Sequence, residues 1–277
     1  MDSLVVSEDK TSIRVIQITD PHLPEHDGDT LAGADTLNTF LSTVEKIKEC
    51  SLPADLIIAT GDIVQNATSP HGYETFREII EPLGIKTLVI PGNHDQADIL
   101  TNTLSDGLVS YSQHFIHNNW QFIMLDSSIP HAVNGHLKTE DLDEVDRLLT
   151  ENPDHHTLIA MHHQPMPIGC RWLDICDNGA IDNGNELFGI VEKHANAKVV
   201  MWGHIHQDFI SSRNNVHLVG APSTCIQFKP RHIDFCLDRL PPGYRWLELE
   251  DDGSIATGVI RTNEIPAEID FNTNGYE

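Results

Sequence analysis

The sequence predicts an α/β protein built around a largely parallel sheet. Three observations carry that reading. Apolar runs of strand length alternate with segments of helical periodicity through the amino-terminal third, an order that gives a parallel sheet with helices on its faces. Several of those runs stop at Gly, Asp, Asn or His, the residues of sites beyond carboxyl strand ends. No apolar stretch approaches the length of a membrane span.

Taken in order, Ile13 to Thr19 reads as a strand and ends in Asp20-Pro21-His22. Over 35–50, Leu37, Phe40, Leu41, Val44 and Ile47 return at three- and four-residue spacing, the apolar face of a helix. Leu56 to Ala59 is a second strand ending in Gly61-Asp62, and a helix opening near Ser69-Pro70 runs to a stop at Gly84. Lys86 to Ile90 is a third strand, closed by Gly92-Asn93-His94-Asp95. Phe115 to Leu125 reads as a hairpin turning at Asn118-Asn119. A helix from Thr139 follows, and then a strand from Thr157 to Met161 ending in His162-His163. A helix over 186–194 and a strand over 198–202 lead into Gly203-His204-Ile205-His206. Short strands are expected at 217–219, 225–228, 245–249 and 255–260.

The 277 residues are expected to form one domain, 1–277, with a catalytic core over about 13–262 and a loose C-terminal tail. Acidic residues outnumber basic ones by 42 to 17, a net charge of −25 that repels nucleic acid and anionic membranes, so neither is an expected partner. Any anionic substrate would then need a local source of positive charge. The five cysteines are odd in number and scattered, and no basic segment followed by an apolar stretch opens the chain. Both features point to free thiols in the cytoplasm.

The chemistry lies in five strand ends: Asp20-x-His22, Gly61-Asp62, Gly92-Asn93-His94, His162-His163 and Gly203-His204-x-His206. Each alone has a bland explanation as a turn or a surface histidine. Five in succession, each directly after an apolar run, describe one rim of donors. Oxygen and imidazole donors without thiolate suit borderline divalent ions such as Mn²⁺, Fe²⁺ or Zn²⁺. Seven donors exceed the needs of one ion, so two ions roughly 3.5–4 Å apart are expected, with Asp62 as the natural bridge.

The five motifs in this order resemble the calcineurin-type metallophosphoesterases. A narrower resemblance, to the bacterial class III 3′,5′-cyclic AMP phosphodiesterases, covers nearly the whole chain. It rests on Ile16 to Asp20, His162 to Cys170 with Trp172-Leu173-Asp174 behind it, Pro222 to Pro230, and a Gly-Tyr near the carboxyl end. The resemblance implies a four-layer α/ββ/α sandwich with the site at the sheet rims. It also implies one ion on Asp20, His22, Asp62 and His206, and a second on Asp62, Asn93, His162 and His204. The expected cofactors are two divalent ions per chain, Fe²⁺ or Mn²⁺, with Zn²⁺ acceptable. A small cyclic nucleotide is the implied partner, its phosphate surrounded by His22, Asp62, Asn93, His94, His162 and His206. The implied reaction is in-line attack on phosphorus by a hydroxide generated at the ion pair, giving 5′-AMP. His94 is the expected catalytic group, stabilising the phosphoryl oxygens and protonating the departing 3′ oxygen. Glycerophosphodiesters and nucleoside 2′,3′-cyclic phosphates are the alternative substrates, and complete ligand positions argue against a non-enzymatic scaffold.

Some residues stay open at this stage. His163 reads as a group behind the ligands or facing substrate rather than a ligand. Asp95 either orients His94 or caps the next helix. Arg171, Trp172, Gln227, Phe228 and Lys229 could meet the base or belong to the core, and Cys170 and Cys176 are expected to be ordinary thiols.

Overall fold

The computed structural model describes residues 12–26, 28–50, 53–176 and 180–275. The chain runs through β1 (Ile13–Ile18), α1 (Thr36–Lys48), β2 (Leu56–Ala59), α2 (His71–Ile80), β3 (Lys86–Val89), α3 (Ala97–Thr103) and β4 (Val109–Tyr111). It continues with β5 (His114–His117), β6 (Trp120–Met124), α4 (Thr139–Glu151), β7 (His156–Met161), α5 (Gly184–Val191) and β8 (Ala197–Trp202). Four strands close it: β9 (Phe209–Arg213), β10 (Val216–Gly220), β11 (Gly243–Leu249) and β12 (Ile255–Arg261).

Two six-stranded sheets result, in the orders β12-β11-β1-β2-β3-β4 and β5-β6-β7-β8-β10-β9. Each has four parallel strands at its heart, β1 to β4 in one and β6, β7, β8 and β10 in the other, with antiparallel strands outside. Strand side chains alternate between faces, and these strands are apolar on both. Ile13 and Val15 of β1, Leu56 and Ile58 of β2, Phe122 of β6, Leu158 of β7 and Val199 of β8 fill the space between the sheets. Their neighbours Ile16, Ile18, Ile57 and Val89 meet Phe40 and Val44 of α1 and Phe76 of α2. On the other side Ile159, Met161 and Val200 meet Val145 of α4 and Phe188 of α5. Helix, sheet, sheet and helix therefore stack as four layers, the expected α/ββ/α sandwich. Asp35 starts α1 by accepting from the Asn38 N–H at 3.0 Å, while Lys46 and Lys48 sit in its last turn.

Buried polar groups fasten the sheets to each other near the rim. Gln17 Nε2 donates to Thr60 Oγ1 at 3.0 Å and, across the layers, to the Trp202 carbonyl at 2.8 Å. Arg245, buried on β11, donates to the Gly220 carbonyl at the end of β10 at 3.1 Å and to the carboxylate of Asp208, the residue before β9. The chain after β8, which carries His204 and His206, is thereby tied to the first sheet.

The expected strand over 225–228 does not form. Its apolar residues are buried because the segment wraps the site: the Thr224 N–H donates to Thr19 O and the Phe228 N–H to His206 O, with only an isolated bridge from Phe228 to Leu237. Two short strands, β4 and β9, had no readable apolar alternation. The closing segment, expected as a loose tail, has no helix or strand among its described residues, yet Ile269 is buried and the Asp270 N–H donates to Ala32 O at 2.9 Å. No helix among the described residues is long and apolar enough to cross a membrane.

Candidate metal centre

The carboxyl ends of β1, β2, β3, β7 and β8 meet at one rim, and the chain turns there in an unusual way. Asp20, His22, Asp62, His204 and His206 all have φ between 47° and 62°, a left-handed backbone that costs a non-glycine residue about 1–3 kcal/mol. Half of the ten such residues in the described chain are therefore in this one cluster. Backbone hydrogen bonds between the strand ends hold them: Asp20 N–H to Gly61 O and His22 N–H to Asp62 O at 3.0 Å, and Gly203 N–H to His162 O at 3.0 Å. The turns aim short side chains inward, so that residues from five strands converge.

Asp20, His22, Asp62 and His206 form one half of the cluster. His206 Nε2 is 3.3 Å from Asp20 Oδ1 and 3.4 Å from His22 Nε2, which lies 3.7 Å from Asp62 Oδ2. Asn93, His162 and His204 form the other half with the same Asp62: His162 Nε2 is 3.3 Å from Asp62 Oδ2, 3.1 Å from Asn93 Oδ1 and 3.2 Å from His204 Nδ1. Asp62 Oδ2 thus faces both halves.

The outer nitrogens of three imidazoles fix which nitrogen turns inward. Nδ1 of His162 donates to the Thr60 carbonyl at 2.7 Å, Nδ1 of His206 to the Ile226 carbonyl at 2.9 Å, and Nδ1 of His22 to Gln65 Oε1 at 2.7 Å. With Nδ1 donating outward, Nε2 of each ring faces the cluster, as a lone pair where the ring is neutral and, at His162 beside Asp62, as the place to which a proton or a cation is drawn. Asp20 Oδ1 is buried and accepts no well-formed hydrogen bond among the described residues, while its Oδ2 accepts from Thr19 Oγ1 at 2.6 Å and the His204 N–H at 3.0 Å. Lone pairs facing lone pairs are resolved by a cation between them. The residues present fit divalent metal ions, with oxygen and imidazole donors and no thiolate.

The electrostatics agree. Burial pushes His22 and His163 down to about 3 and His204 well below the usual imidazole range, which keeps these rings neutral. Burial would raise Asp20 and Asp62, but His206 beside Asp20 and His162 beside Asp62 hold both carboxyls below their ordinary value. Burial also opposes charge on His162, yet Asp62 overrides it and raises that ring to about 9. The centre keeps its carboxylates ionised and draws positive charge to their meeting point.

His94 sits beside this cluster. Its backbone N–H donates to Asp62 Oδ1 at 2.8 Å, its Nδ1 donates to the Gln65 carbonyl at 3.0 Å, and its ring stands edge-on to His22 at 4.9 Å. Asp95 does not cap the following helix, whose N-cap is Gln96. Its carboxylate accepts from the Gly92, Ile63 and Val64 N–H groups at 2.8, 3.1 and 3.3 Å, tying the ends of β2 and β3 together. Burial and the charge of Asp62 push Asp95 up to about 6. Gly92 is there because of close approach: a Cβ at that position would lie 2.2 Å from Asp62 Oδ1.

The possible base-reading residues divide. Phe228 is buried with its ring stacked on His206 at 4.0 Å and 8°, and Trp172 is buried edge-on to Phe228, so both buttress a donor from behind. Gln227 is also buried, donating to the Ser223 carbonyl and accepting from Arg261. Arg171 and Lys229 are exposed. Cys170 is buried, with Sγ 3.7 Å from the Lys229 and His232 carbonyls and away from the donors. A cleft of about 190 Å³, lined by His22, Pro24, Leu31, Gln65 and Asn66 among others, adjoins the centre. A larger one of about 530 Å³ along α1 contains none of the donors, so cleft size does not mark the site.

Gln65 is the functional residue that sequence reasoning missed. Its side chain orients His22 and its carbonyl orients His94, and a polar residue three positions after Asp62 was the available signal. Substitution Gln65→Leu should weaken the His22 half of the centre by about 10–100-fold in metal affinity. Metal titration followed by calorimetry should show one affected and one unaffected binding event; two unaffected events would remove Gln65 from this role.

The comparisons with known proteins agree with this geometry. Residues 13–208 match the family profile described as calcineurin-like phosphoesterase. The chain is 38% identical to the 3′,5′-cyclic adenosine monophosphate phosphodiesterase CpdA of Pseudomonas aeruginosa, over 96% of each chain. It is 37% identical to a 3′,5′-cyclic-nucleotide phosphodiesterase of Nostoc, over 91% of this chain and 94% of the relative. Among solved structures, a dimetal phosphatase from Danio rerio superposes with a TM-score of 0.60 at 13% identity, covering 91% of this chain and 99% of its own, a likeness of fold. A family whose members carry divalent metal ions accounts for both the convergent donors and the four-layer frame, and the chain belongs to it: the calcineurin-like phosphoesterases.

Proposed function

We infer that this protein is a metal-dependent phosphodiesterase that hydrolyses 3′,5′-cyclic AMP to 5′-AMP. The observation that carries the reading is the double donor set sharing Asp62 beside His94, in a chain alike over nearly its whole length to cyclic AMP phosphodiesterases. In this reading Asp20, His22, Asp62 and His206 would hold one ion and Asp62, Asn93, His162 and His204 the other, Fe²⁺ or Mn²⁺ before Zn²⁺. Two bound divalent ions would neutralise the phosphoryl oxygens and lower the pKa of a water to supply the nucleophile.

The protein's own side chains do the rest. His22, Asp62, Asn93, His94, His162 and His206 surround the position of the phosphodiester. His94 transfers a proton through Nε2, because Nδ1 is committed to the Gln65 carbonyl. That proton goes to the ribose 3′ oxygen as its bond to phosphorus breaks, and the positive ring stabilises charge on the phosphoryl group meanwhile. Free cysteines, with Cys170 and Cys225 buried, support placing the enzyme in the cytoplasm.

The test is hydrolysis by protein loaded with Mn²⁺ or Fe²⁺, with metal counted on the same sample. Cyclic AMP should give a higher kcat/KM than 2′,3′-cyclic AMP or glycerophosphodiesters, chelation should abolish turnover, and re-addition of metal should restore it. Protein holding two ions per chain and inert towards cyclic AMP would overturn the assignment.

A further inference from the structure

His163 is a buried imidazole beside the centre that the proposed chemistry does not use. Both its nitrogens are engaged by one stretch of chain: Nδ1 accepts from Ser127 Oγ at 2.8 Å, and Nε2 donates to the Val133 carbonyl at 3.0 Å. Having both nitrogens bonded to protein excludes it from ligation in this arrangement. Its ring centroid lies 4.8 Å from that of His162 and 4.9 Å from that of His204. The segment it holds is thus one ring's width from the Asn93–His162–His204 half of the centre.

That segment, 127–136, is a loop closed on itself, with the His136 N–H donating to Ser127 O at 3.0 Å. It leaves the carboxyl end of β6, next to β7 in the sheet, and so rises at the same rim as the donors. Gly135 lies flat on the His163 ring, where a Cβ would stand 2.6 Å from Cγ. Beyond the loop, Asp182 N–H donates to Gly135 O at 3.2 Å and His136 pairs with Asp182 at 2.6 Å, fixing its far side. Val133, at the tip, is 45% exposed and presents an apolar surface.

We propose that His163 is a positioning residue for substrate: it clamps the 127–136 loop against the centre, and the clamped loop is the wall on which the nucleoside half of the cyclic nucleotide rests. This deepens the reading of the site as a cyclic AMP phosphodiesterase and rests on it. The clamp acts on the part of the substrate beyond the phosphate, so it sets KM for a nucleotide and leaves a base-free diester alone.

The experiment compares cyclic AMP with bis(p-nitrophenyl) phosphate in the metal-loaded full chain carrying Ser127→Ala, Gly135→Ala, His163→Gln or His163→Phe. KM for cyclic AMP should rise about tenfold in Ser127→Ala, the equivalent of one lost buried hydrogen bond, and should rise in Gly135→Ala too, where the added Cβ pushes the loop off the His163 ring, with kcat held in both. Metal should stay at two per chain, and the base-free diester should be hydrolysed as by the wild type. His163→Gln, whose amide can still donate to Val133 O, should recover part of what His163→Phe loses. Loss of one ion in His163→Gln, a parallel fall on both substrates, or a lowered Tm with unchanged KM would each overturn the proposal. Wild-type protein that cleaves the base-free diester but not cyclic AMP would overturn the reading beneath it, and is recognised before any variant is made.

Discussion

Substitution Asp62→Asn should cost the protein its second metal and about a thousandfold or more in kcat/KM, since the ions supply several kcal/mol of charge stabilisation. The change is isosteric, so packing survives; what is lost is a negative charge facing both halves of the cluster. Oδ2 lies 3.3 Å from His162 and 3.7 Å from His22, and Oδ1 holds the backbone N–H of His94. A neutral amide offers one acceptor and would turn its NH₂ towards one of these partners. The measurement is metal content beside kcat/KM for cyclic AMP. Two ions per chain with activity within tenfold of wild type would remove Asp62 from the bridging position.

Much of this site could be read from the chain because its donors follow directly on apolar strands. Asp20, Asp62, Asn93, His162 and His204 each lie within a few residues of a strand end, and a parallel sheet sends such ends to one rim. The strands themselves were legible for the same reason: β1, β2, β3, β7 and β8 are buried along most of their length and read as apolar-rich runs, unbroken in β2 and interrupted by one or two polar residues in the others. What failed to show was whatever depends on contacts made at a distance. β9 is mostly polar, and its place in the sheet comes from pairing with β10 rather than from its own residues. Cys225 to Phe228 has strand-like residues but spends its backbone on Ser223 and His206. Gln65 and Ser127 carry no motif; each matters because a histidine far along the chain turns towards it. Asp95 directly precedes α3 and yet serves the amides of Gly92 and Ile63 rather than those of the helix, a choice that only the backbone geometry shows.

Substitution His94→Ala should leave both ions bound and lower kcat for cyclic AMP by about 10²–10⁴-fold, the range of a positioned general acid. The imidazole is held from outside the donor set, by the Gln65 carbonyl at 3.0 Å, and its backbone N–H to Asp62 survives truncation of the side chain. Metal binding and KM should therefore change little. The loss should also depend on the leaving group. A ribose 3′ oxygen departs as a strongly basic alkoxide unless it is protonated, whereas p-nitrophenolate needs no such help. The His94→Ala protein should accordingly lose far less activity on bis(p-nitrophenyl) phosphate than on cyclic AMP. An equal loss on both substrates would mean that His94 serves only the phosphoryl group, and full retention on cyclic AMP would take it out of the mechanism.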